Sequence, residues 1–204
     1  MQMRQHMTSF VLAVLVCVLS MTSCGGSKPA TPPGSSQSAT VHNSQSATVH
    51  IAQPVGATPS VSAKMICAPE AQTEIVAVLG VHTTQPVVPT WTDHTYSCRY
   101  TYSKGVMVLS VKEFSNKTET DSYFTSLAHR LGLAKPLEDL GQGAFFTKDH
   151  SAVVRKDYKV LLVDTSGLPA LFGAPLSNRG VIAVTVAATI MDCWTGAGTV
   201  ISSV

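Results

Sequence analysis

Two short segments of this sequence contain residue types that catalytic sites use, but neither has the spacing that catalysis needs. Residues 163–167, VDTSG, are superficially similar to the loop of aspartic proteases, in which two carboxylates share one proton. One extra residue separates Asp164 from the Ser-Gly pair, and a second such loop does not occur. Gly141 and Gly143 are too few for a phosphate-binding loop, and a strand rather than a helix is predicted after them. Both segments therefore predict turns.

The histidines lack the pattern of a metal site, because none forms a pair four residues apart and none lies beside a cysteine pair. Beyond Cys24 they are His42, His50, His82, His94, His129 and His150. We expect solvated side chains and no metal or other cofactor. Trp91, close to His94, would line a ligand pocket if it were exposed. The favoured interpretation is that Trp91 and Trp194 cover the edge of the core.

Cys24 is the residue whose surroundings predict a specific chemistry. The segment Met21-Thr22-Ser23-Cys24-Gly25 resembles a bacterial lipobox, in which a small residue precedes a cysteine that receives diacylglycerol before the signal is cut. Two acyl chains hold a protein at a membrane stably, whereas one chain does so only marginally. Met21 departs from the usual Leu, Val or Ile, and an ordinary secretory signal with an incidental cysteine is the alternative. The sequence predicts a lipid on Cys24.

The residues before Cys24 have the three-part order of an export signal. Arg4 and His6 come first, an apolar run follows at positions 10–19, and small residues precede the cysteine. A transmembrane helix needs about 20 apolar residues, so this run is too short to span a bilayer comfortably. Residues 1–23 are therefore predicted to be a lipoprotein signal peptide. The mature protein is expected on the outer, extracytoplasmic face of the cell membrane.

Residues 24–66 have the composition of a flexible linker. From Gly25 to Ala63 the sequence contains five prolines and much Ser, Thr and Gln, but no acidic and no aromatic residue. Such a segment cannot bury enough apolar surface to fold. Within it SQSATVHN at 36–43 is followed by SQSATVHI at 44–51, a tandem copy far shorter than the repeats of a solenoid. We predict a disordered spacer between the lipid and a globular domain.

Residues 67–204 are numerous enough for a single globular domain with its own core. The chain has 14 Lys and Arg against 12 Asp and Glu, and three of the basic residues precede Cys67, so this domain is close to neutral. No basic surface for nucleic acid is indicated. Only 13% of the residues are charged, against about 25% in an average protein, which suits an extracytoplasmic location.

The hydrophobic pattern predicts an α+β domain of the order α-β-β-α-β-β-β-α, with an antiparallel sheet of about five strands and helices packed on one face. Pro69 and Gly80 suit the start and end of a helix, and Thr118 with Asp121 resembles a capping box. The segment 178–194 fits both strand and helix periodicity, and its length favours a helix. The predicted elements are helix 69–79, strands 98–102 and 105–114, helix 118–131, strands 144–149, 151–157 and 159–165, and helix 178–194.

Four short motifs are spread over this domain. They are the helix that begins at Cys67, the strand 98–100, the turn 140–144 and the closing segment 193–196. Together they resemble small lipoproteins of actinobacteria, chiefly mycobacteria, many of which carry domains of unknown function and some of which are similar to a Mog1/PsbP-like α+β fold. The resemblance implies a cell-envelope location and supplies no catalytic residues.

Three cysteines remain after the predicted processing, Cys67, Cys98 and Cys193, which is an odd number for an oxidising compartment. A disulfide needs Cα atoms within about 7 Å, a distance that the sequence does not give, so pairs that include Cys193 stay open. Cys193 also fits a buried thiol that behaves as a small hydrophobe. The family resemblance implies the pair Cys67 and Cys98.

These observations favour a non-enzymatic, membrane-anchored lipoprotein that binds an unidentified envelope ligand or protein. The first alternative is a hydrolase of wall or lipid substrates, which needs a deep pocket with a Ser or Asp next to His94, His129 or His150. The second alternative is a lipid carrier, which needs an apolar cavity between the sheet and the helices. No nucleic-acid partner is expected.

Overall fold

The computed structural model describes residues 55–196, and within them it shows an α+β fold as predicted. Cys24, the predicted signal peptide and both SQSATVH copies lie outside the described residues. The helices are α1 (Val61–Lys64), α2 (Pro69–Leu79), α3 (Lys117–Leu131) and α4 (Arg179–Gly196), with a 3-10 turn at Met65–Cys67. The strands are β1 (Pro89–Thr92), β2 (Thr95–Tyr102), β3 (Gly105–Glu113), β4 (Leu133–Leu137), β5 (Gly143–Thr147), β6 (Ala152–Lys156), β7 (Lys159–Asp164), β8 (Leu171–Phe172) and β9 (Ser177–Asn178).

Strands β1 to β7 form one antiparallel sheet in the order β1-β2-β3-β7-β6-β5-β4, and β8 pairs with β9 in a separate ribbon. The predicted antiparallel sheet is confirmed, whereas the predicted count of five strands and the predicted order of elements are wrong. The five predicted strands occupy the centre of the sheet. The two strands that the pattern missed, β1 and β4, form its two edges.

The hydrophobic pattern does not predict β1 and β4 because an edge strand buries few side chains. Every residue of β1 except Trp91 is exposed, and every residue of β4 except Leu137 is exposed. Each strand also contains a proline, Pro89 or Pro136, which lacks the N–H that a further strand would need. Residues with this pattern are indistinguishable from a loop in the sequence, although they lengthen the sheet at both ends.

The helices lie on both faces of the sheet, so the prediction that one face is covered is wrong. α2 and α4 belong to the larger core, to which they contribute Ile75 and Ile190. α3 covers the opposite face over β5, β6 and β7, where Leu127 packs in a smaller core. On β6 the adjacent residues Val153 and Val154 are both fully buried, Val153 in the smaller core and Val154 in the larger one. A strand with buried neighbours in sequence is covered on both sides, since successive side chains point to opposite faces.

The ends of α2 and α4 follow from local sequence signals. α2 begins at Pro69, where a missing N–H costs little, and ends at Gly80, whose φ of 64° suits glycine. The Asn178 side chain caps α4, because its Oδ1 accepts the N–H of Val181 at 3.0 Å. The helix predicted over 178–194 is thus confirmed. Between residues 55 and 196, no helix is both long enough and apolar enough to cross a membrane.

The N-terminus of α3 differs from its prediction by two residues. Asn116 is the cap, and its Oδ1 accepts the N–H of Glu119 at 2.9 Å. The predicted capping box of Thr118 and Asp121 is therefore wrong. Asp121 instead uses its carboxylate to bind Arg155 on β6, which ties α3 to the sheet.

The domain begins before Cys67, so the predicted linker 24–66 is too long. Residues 55–66, the N-terminal strap, are folded in the structure, and the side chains of Ala63 and Ile66 are fully buried. The carbonyl of Ile66 also accepts a hydrogen bond of 2.6 Å from the buried hydroxyl of Tyr100. Composition concealed this because only a few apolar side chains of the strap enter the core.

The two tryptophans hold the strap against the domain. Trp91 donates its indole N–H to the carbonyl of Ala57 at 2.9 Å, and Trp194 donates its own to the carbonyl of Ser62 at 2.9 Å. Trp194 is buried at the margin of the larger core, as predicted. Trp91 is half-buried on the edge strand β1 and contacts the ring of His94 edge-on, with centroids 5.9 Å apart.

Candidate ligand-binding cleft

The structure places the predicted cysteines in two separate regions. Cys67, at the end of the 3-10 turn, forms a disulfide with Cys98 on β2, and their Cα atoms are 5.7 Å apart. Cys193 lies on α4, where it is buried and takes no part in that disulfide. The disulfide fixes the start of α2 against the middle of β2. It therefore sets the spacing between these two elements.

The segments that superficially resembled catalytic loops serve as turns. The Asp164 carboxylate accepts the Ser151 hydroxyl at 3.2 Å and the N–H of Ser166 at 2.9 Å, which closes the turn after β7. Gly141 adopts a φ of 64° just before β5, in a turn whose Gln142 carbonyl accepts a guanidinium hydrogen bond. Both interpretations as turns are confirmed. These hydrogen bonds stabilise the two turns.

A cleft of about 320 Å³ lies between α2, the loop that follows it, and the C-terminal half of β2. Pro69, Thr73 and Val76 form its helical wall, because residues spaced by three or four share one face of a helix. Tyr100 and Tyr102 supply the opposing wall from β2. The remaining lining residues are Gln72, Ile75, His82 and Thr83.

The cleft exists because β1 covers only half of its neighbour. β1 pairs with residues 95–98 of β2, so no strand of the described residues lies beside this edge of β2 beyond Cys98. The chain between α2 and β1 crosses this edge instead, and Thr84 donates its N–H to the carbonyl of Thr101 at 2.7 Å. The space between this loop and α2 is the cleft. Its position thus depends on an edge strand that the sequence pattern did not reveal.

Tyr102 is the lining residue whose hydroxyl is buried without a hydrogen-bond partner among the described residues. The residue is only 5% exposed, and its hydroxyl oxygen has no hydrogen-bond partner within the described part of the chain. The ring packs against Phe172 with centroids 5.0 Å apart. Burial raises the pKa of the Tyr102 phenol, so the group stays protonated and neutral at physiological pH. The same burial closes the hydroxyl oxygen off from the open space of the cleft.

Three other polar side chains of the cleft have hydrogen-bond partners. Tyr100 donates its hydroxyl to the strap, Gln72 donates its amide N–H to the carbonyl of Cys67 at 2.7 Å, and Thr73 donates its hydroxyl to the carbonyl of Pro69 at 2.9 Å. Burial also raises the pKa of Tyr100. No Asp, Glu, Lys or Arg is among the lining residues of this cleft. The walls therefore contain no carboxylate, ammonium or guanidinium group.

Three further depressions differ from this cleft because charged side chains are among their lining residues. A groove of about 570 Å³ between α3 and β4 contains His129 and Lys148, and a space of about 410 Å³ under the strap is bounded by Glu113. A third, of about 350 Å³, lies beside α4. Among their lining residues, none has a buried polar side chain without a partner. The histidines are scattered, and the described residues hold no group of three metal-binding side chains.

Comparison with known proteins gives no relative. No protein-family model matches the chain, and neither a curated protein nor a solved structure matches it. The resemblance to actinobacterial lipoproteins consequently remains a prediction, and the cleft has to be interpreted from its own chemistry.

Sequence reasoning did not select the residues of the cleft. Tyr100 and Tyr102 alternate along β2 and are typical of core positions, and Thr73 is an ordinary exposed helix residue. No short motif joins them, because α2 and β2 meet only in three dimensions. The disulfide was the available signal, since linking Cys67 to Cys98 brings the start of α2 to β2.

Proposed function

We propose that this protein is a lipid-anchored lipoprotein of the bacterial cell envelope whose folded domain binds a small ligand in the cleft between α2 and β2. The lipobox-like residues around Cys24 and the export signal before it support the anchor. The proline-rich linker supports display of the domain at a distance from the membrane surface. The protein is expected to act by binding, without a chemical step.

The shape and the lining of the cleft are the observations that carry the binding proposal. Its volume of about 320 Å³ lies within the range of small-molecule pockets, about 300–1,000 Å³. Its walls combine aliphatic side chains of α2 with the tyrosines Tyr100 and Tyr102 of β2, and ligand pockets have this mostly apolar and aromatic lining. A small molecule seated between the two walls would bury its apolar surface against them.

The two alternatives receive less support from the geometry. A lipid carrier needs an apolar cavity between the sheet and the helices, but the side chains at that position, such as Ile75, Leu79 and Ile190, are fully buried in a filled core. A hydrolase needs a Ser or Asp next to a histidine in a pocket. His82 is the histidine of this cleft, and threonines are its hydroxyl-bearing neighbours besides the tyrosines.

The proposed binding is tested by filling the cleft with a larger side chain. Thr73 is exposed on α2 and lines the cleft, so Thr73→Trp would occupy part of it without disturbing the core. Ala77, one turn further along α2, is exposed and lies outside the cleft, so Ala77→Trp is the matched control. Both changes are made in the chain from residue 24 onward with Cys24→Ser, which replaces the lipid acceptor.

The measurement is an ¹⁵N–¹H NMR titration with a set of small neutral, cationic and anionic fragments. We expect some fragments to shift the amide signals of Thr73, Val76 and Thr83, and we expect Thr73→Trp to abolish these shifts while Ala77→Trp preserves them. Fragments that shift no cleft residue, or that do so equally in both variants, would contradict the proposed function.

A further inference from the structure

We infer that the β8–β9 ribbon and the first turn of α4 form a surface that binds an anionic phospholipid bilayer through Leu171, Leu176 and Val181. This surface is separate from the cleft and from the predicted lipid on Cys24, so the inference depends on neither. Three observations carry it, which are the exposure of these side chains, the firm seat of the ribbon and the charge of the surrounding chain.

Three large aliphatic side chains are exposed close together in this part of the fold. Leu171 is 58% exposed, Leu176 is 69% exposed and Val181 is 52% exposed. Within residues 55–196, six large hydrophobic residues are exposed, and half of them lie in the stretch 171–181. Single exposed apolar residues are ordinary, whereas a cluster of them marks an interaction surface.

Asn178 brings these side chains to one place. It pairs with Leu171 in the ribbon, and its Oδ1 accepts the N–H of Val181 at 3.0 Å. Leu176 lies two residues before Asn178 in the chain. The three exposed side chains therefore lie around the junction between the ribbon and α4.

The ribbon is held firmly against the domain. Ala174 donates its N–H to the carbonyl of Leu79, at the end of α2, at 2.7 Å. The ring of Phe172 packs on Tyr102 with centroids 5.0 Å apart. The two backbones approach so closely that a Cβ atom on Gly80 would lie 1.9 Å from the carbonyl oxygen of Ala174. The exposed leucines are therefore presented by a fixed backbone, and binding requires little further ordering.

The chain around this surface carries positive charge and few carboxylates. Asp and Glu are absent from three long segments of the sequence, 75–92, 94–112 and 165–191. These segments form the second half of α2, nearly all of the β2–β3 hairpin, the ribbon and most of α4. Arg179 directly follows β9, and Lys104 is exposed in the turn from β2 to β3. The N–H of Val106 donates to the carbonyl of Gly167 at 3.0 Å, which places this turn beside the loop before the ribbon.

Two carboxylates lie at the same end of the sheet, outside these segments. Asp164, at the end of β7, accepts hydrogen bonds from the Ser151 hydroxyl and from the N–H of Ser166. Asp149 directly follows Lys148 in the turn between β5 and β6, so their charges offset each other. The charged side chains next to the ribbon and in the β2–β3 turn are thus both cations.

Negatively charged headgroups over acyl chains complement this surface. Apolar side chains bind a bilayer interface in proportion to the area they bury, and Lys and Arg add attraction to anionic headgroups. Protein partners instead dock mainly on Trp, Tyr and Arg residues seated in pockets. Phe172, the aromatic residue of the stretch 165–191 before Trp194, is buried. Fluid acyl chains are therefore the better match, and a bilayer bound here would lie close to the cleft wall at Tyr102.

The test is vesicle flotation with the Cys24→Ser chain from residue 24 onward. One set of vesicles contains equal amounts of phosphatidylglycerol and phosphatidylcholine, and the other contains phosphatidylcholine alone. The double variant Leu171→Ser with Leu176→Ser removes the apolar surface. The double variant Val61→Ser with Val88→Ser is the matched control, because these valines are 74% and 66% exposed, in the strap and in the loop before β1.

We expect the parent protein to float with the anionic vesicles, and the leucine variant to lose about tenfold or more of its partition coefficient. The valine variant should change it by less than about twofold. Lys104→Gln should lower it by about two- to fivefold, and salt should weaken binding because it screens the headgroup charge. All variants should keep the thermal midpoint of the parent within about 2 °C, because the changed side chains are exposed.

Absence of flotation with the anionic vesicles, or equal losses in the two double variants, would overturn the inference. Binding that salt abolishes but the leucine variant retains would overturn it too, since charge alone would then explain the contact. In bicelles of the same lipids, 5-doxyl phosphatidylcholine should broaden the amide signals of residues 171–181 and spare those of residues 60–64; the reverse would contradict the assigned surface. None of these results affects the proposed cleft, because the fragment titration contains no lipid.

Discussion

Replacing Ile66 by alanine tests whether the N-terminal strap belongs to the folded domain. The Ile66 side chain is fully buried, and the change removes three carbon atoms from the larger core. At about 0.8 kcal/mol for each carbon, plus a contribution from the cavity that remains, the free energy of unfolding should fall by about 3–4 kcal/mol. For a domain of this size that corresponds to a thermal midpoint lower by about 10 °C.

The assay is urea unfolding at pH 7, followed by circular dichroism with the disulfide intact. Val61→Ala is the control, because Val61 lies in the same strap but is 74% exposed, and its substitution should change the unfolding free energy by less than about 0.5 kcal/mol. Equal and small effects of the two substitutions would refute the packing of the strap. The linker would then extend to residue 66, as its composition predicted.

Three further predictions concern the anchor, the disulfide and one ion pair. Cys24→Ser should move the processed protein from the membrane fraction to the soluble fraction; retention after a salt wash would contradict the lipid anchor. Replacing Cys67 and Cys98 together by alanine should lower the unfolding free energy by about 3–4 kcal/mol, because they close a loop of 31 residues, and an unchanged urea midpoint would disagree. The hydrogen bond from Lys117 holds the pKa of the Asp121 carboxyl below its usual range. The ionised carboxylate therefore stabilises the fold above the unfolded pKa of about 3.9, and this stabilisation is lost as the pH falls through the lower pKa of the folded state. Asp121→Asn should therefore flatten the decline of the thermal midpoint between about pH 5 and pH 2, and an unaltered profile would count against this.

The sequence predicted the interior of the sheet more accurately than its edges. β2, β3 and β5 to β7 alternate or bury consecutive apolar residues, so their pattern records where the core lies. β1 and β4 have a neighbour on one side only and expose nearly all their side chains, which removes the pattern. The strap was missed for the same reason, since Ala63, Ile66 and the partly buried Met65 are the strap residues that pack in the larger core.

The cleft could not be predicted from the sequence, because it depends on which elements are adjacent. Tyr102 alternates with other buried residues of β2, so its pattern alone indicates packing. Its place in the wall of a cleft becomes visible only when α2 and the following loop are set beside β2. The helix boundaries of α2 and α4 were predictable, since Pro69, Gly80 and Asn178 act through local backbone geometry.

The most direct test of the account is to observe where a fragment that binds in the NMR titration lies on the domain. Nuclear Overhauser effects between the protons of the fragment and the methyl groups of Ile75 and Val76, together with the Tyr102 ring, are the predicted result. Contacts confined to the groove of Phe124 and Leu133, beside α3, would contradict the assignment of the cleft between α2 and β2 as the ligand site.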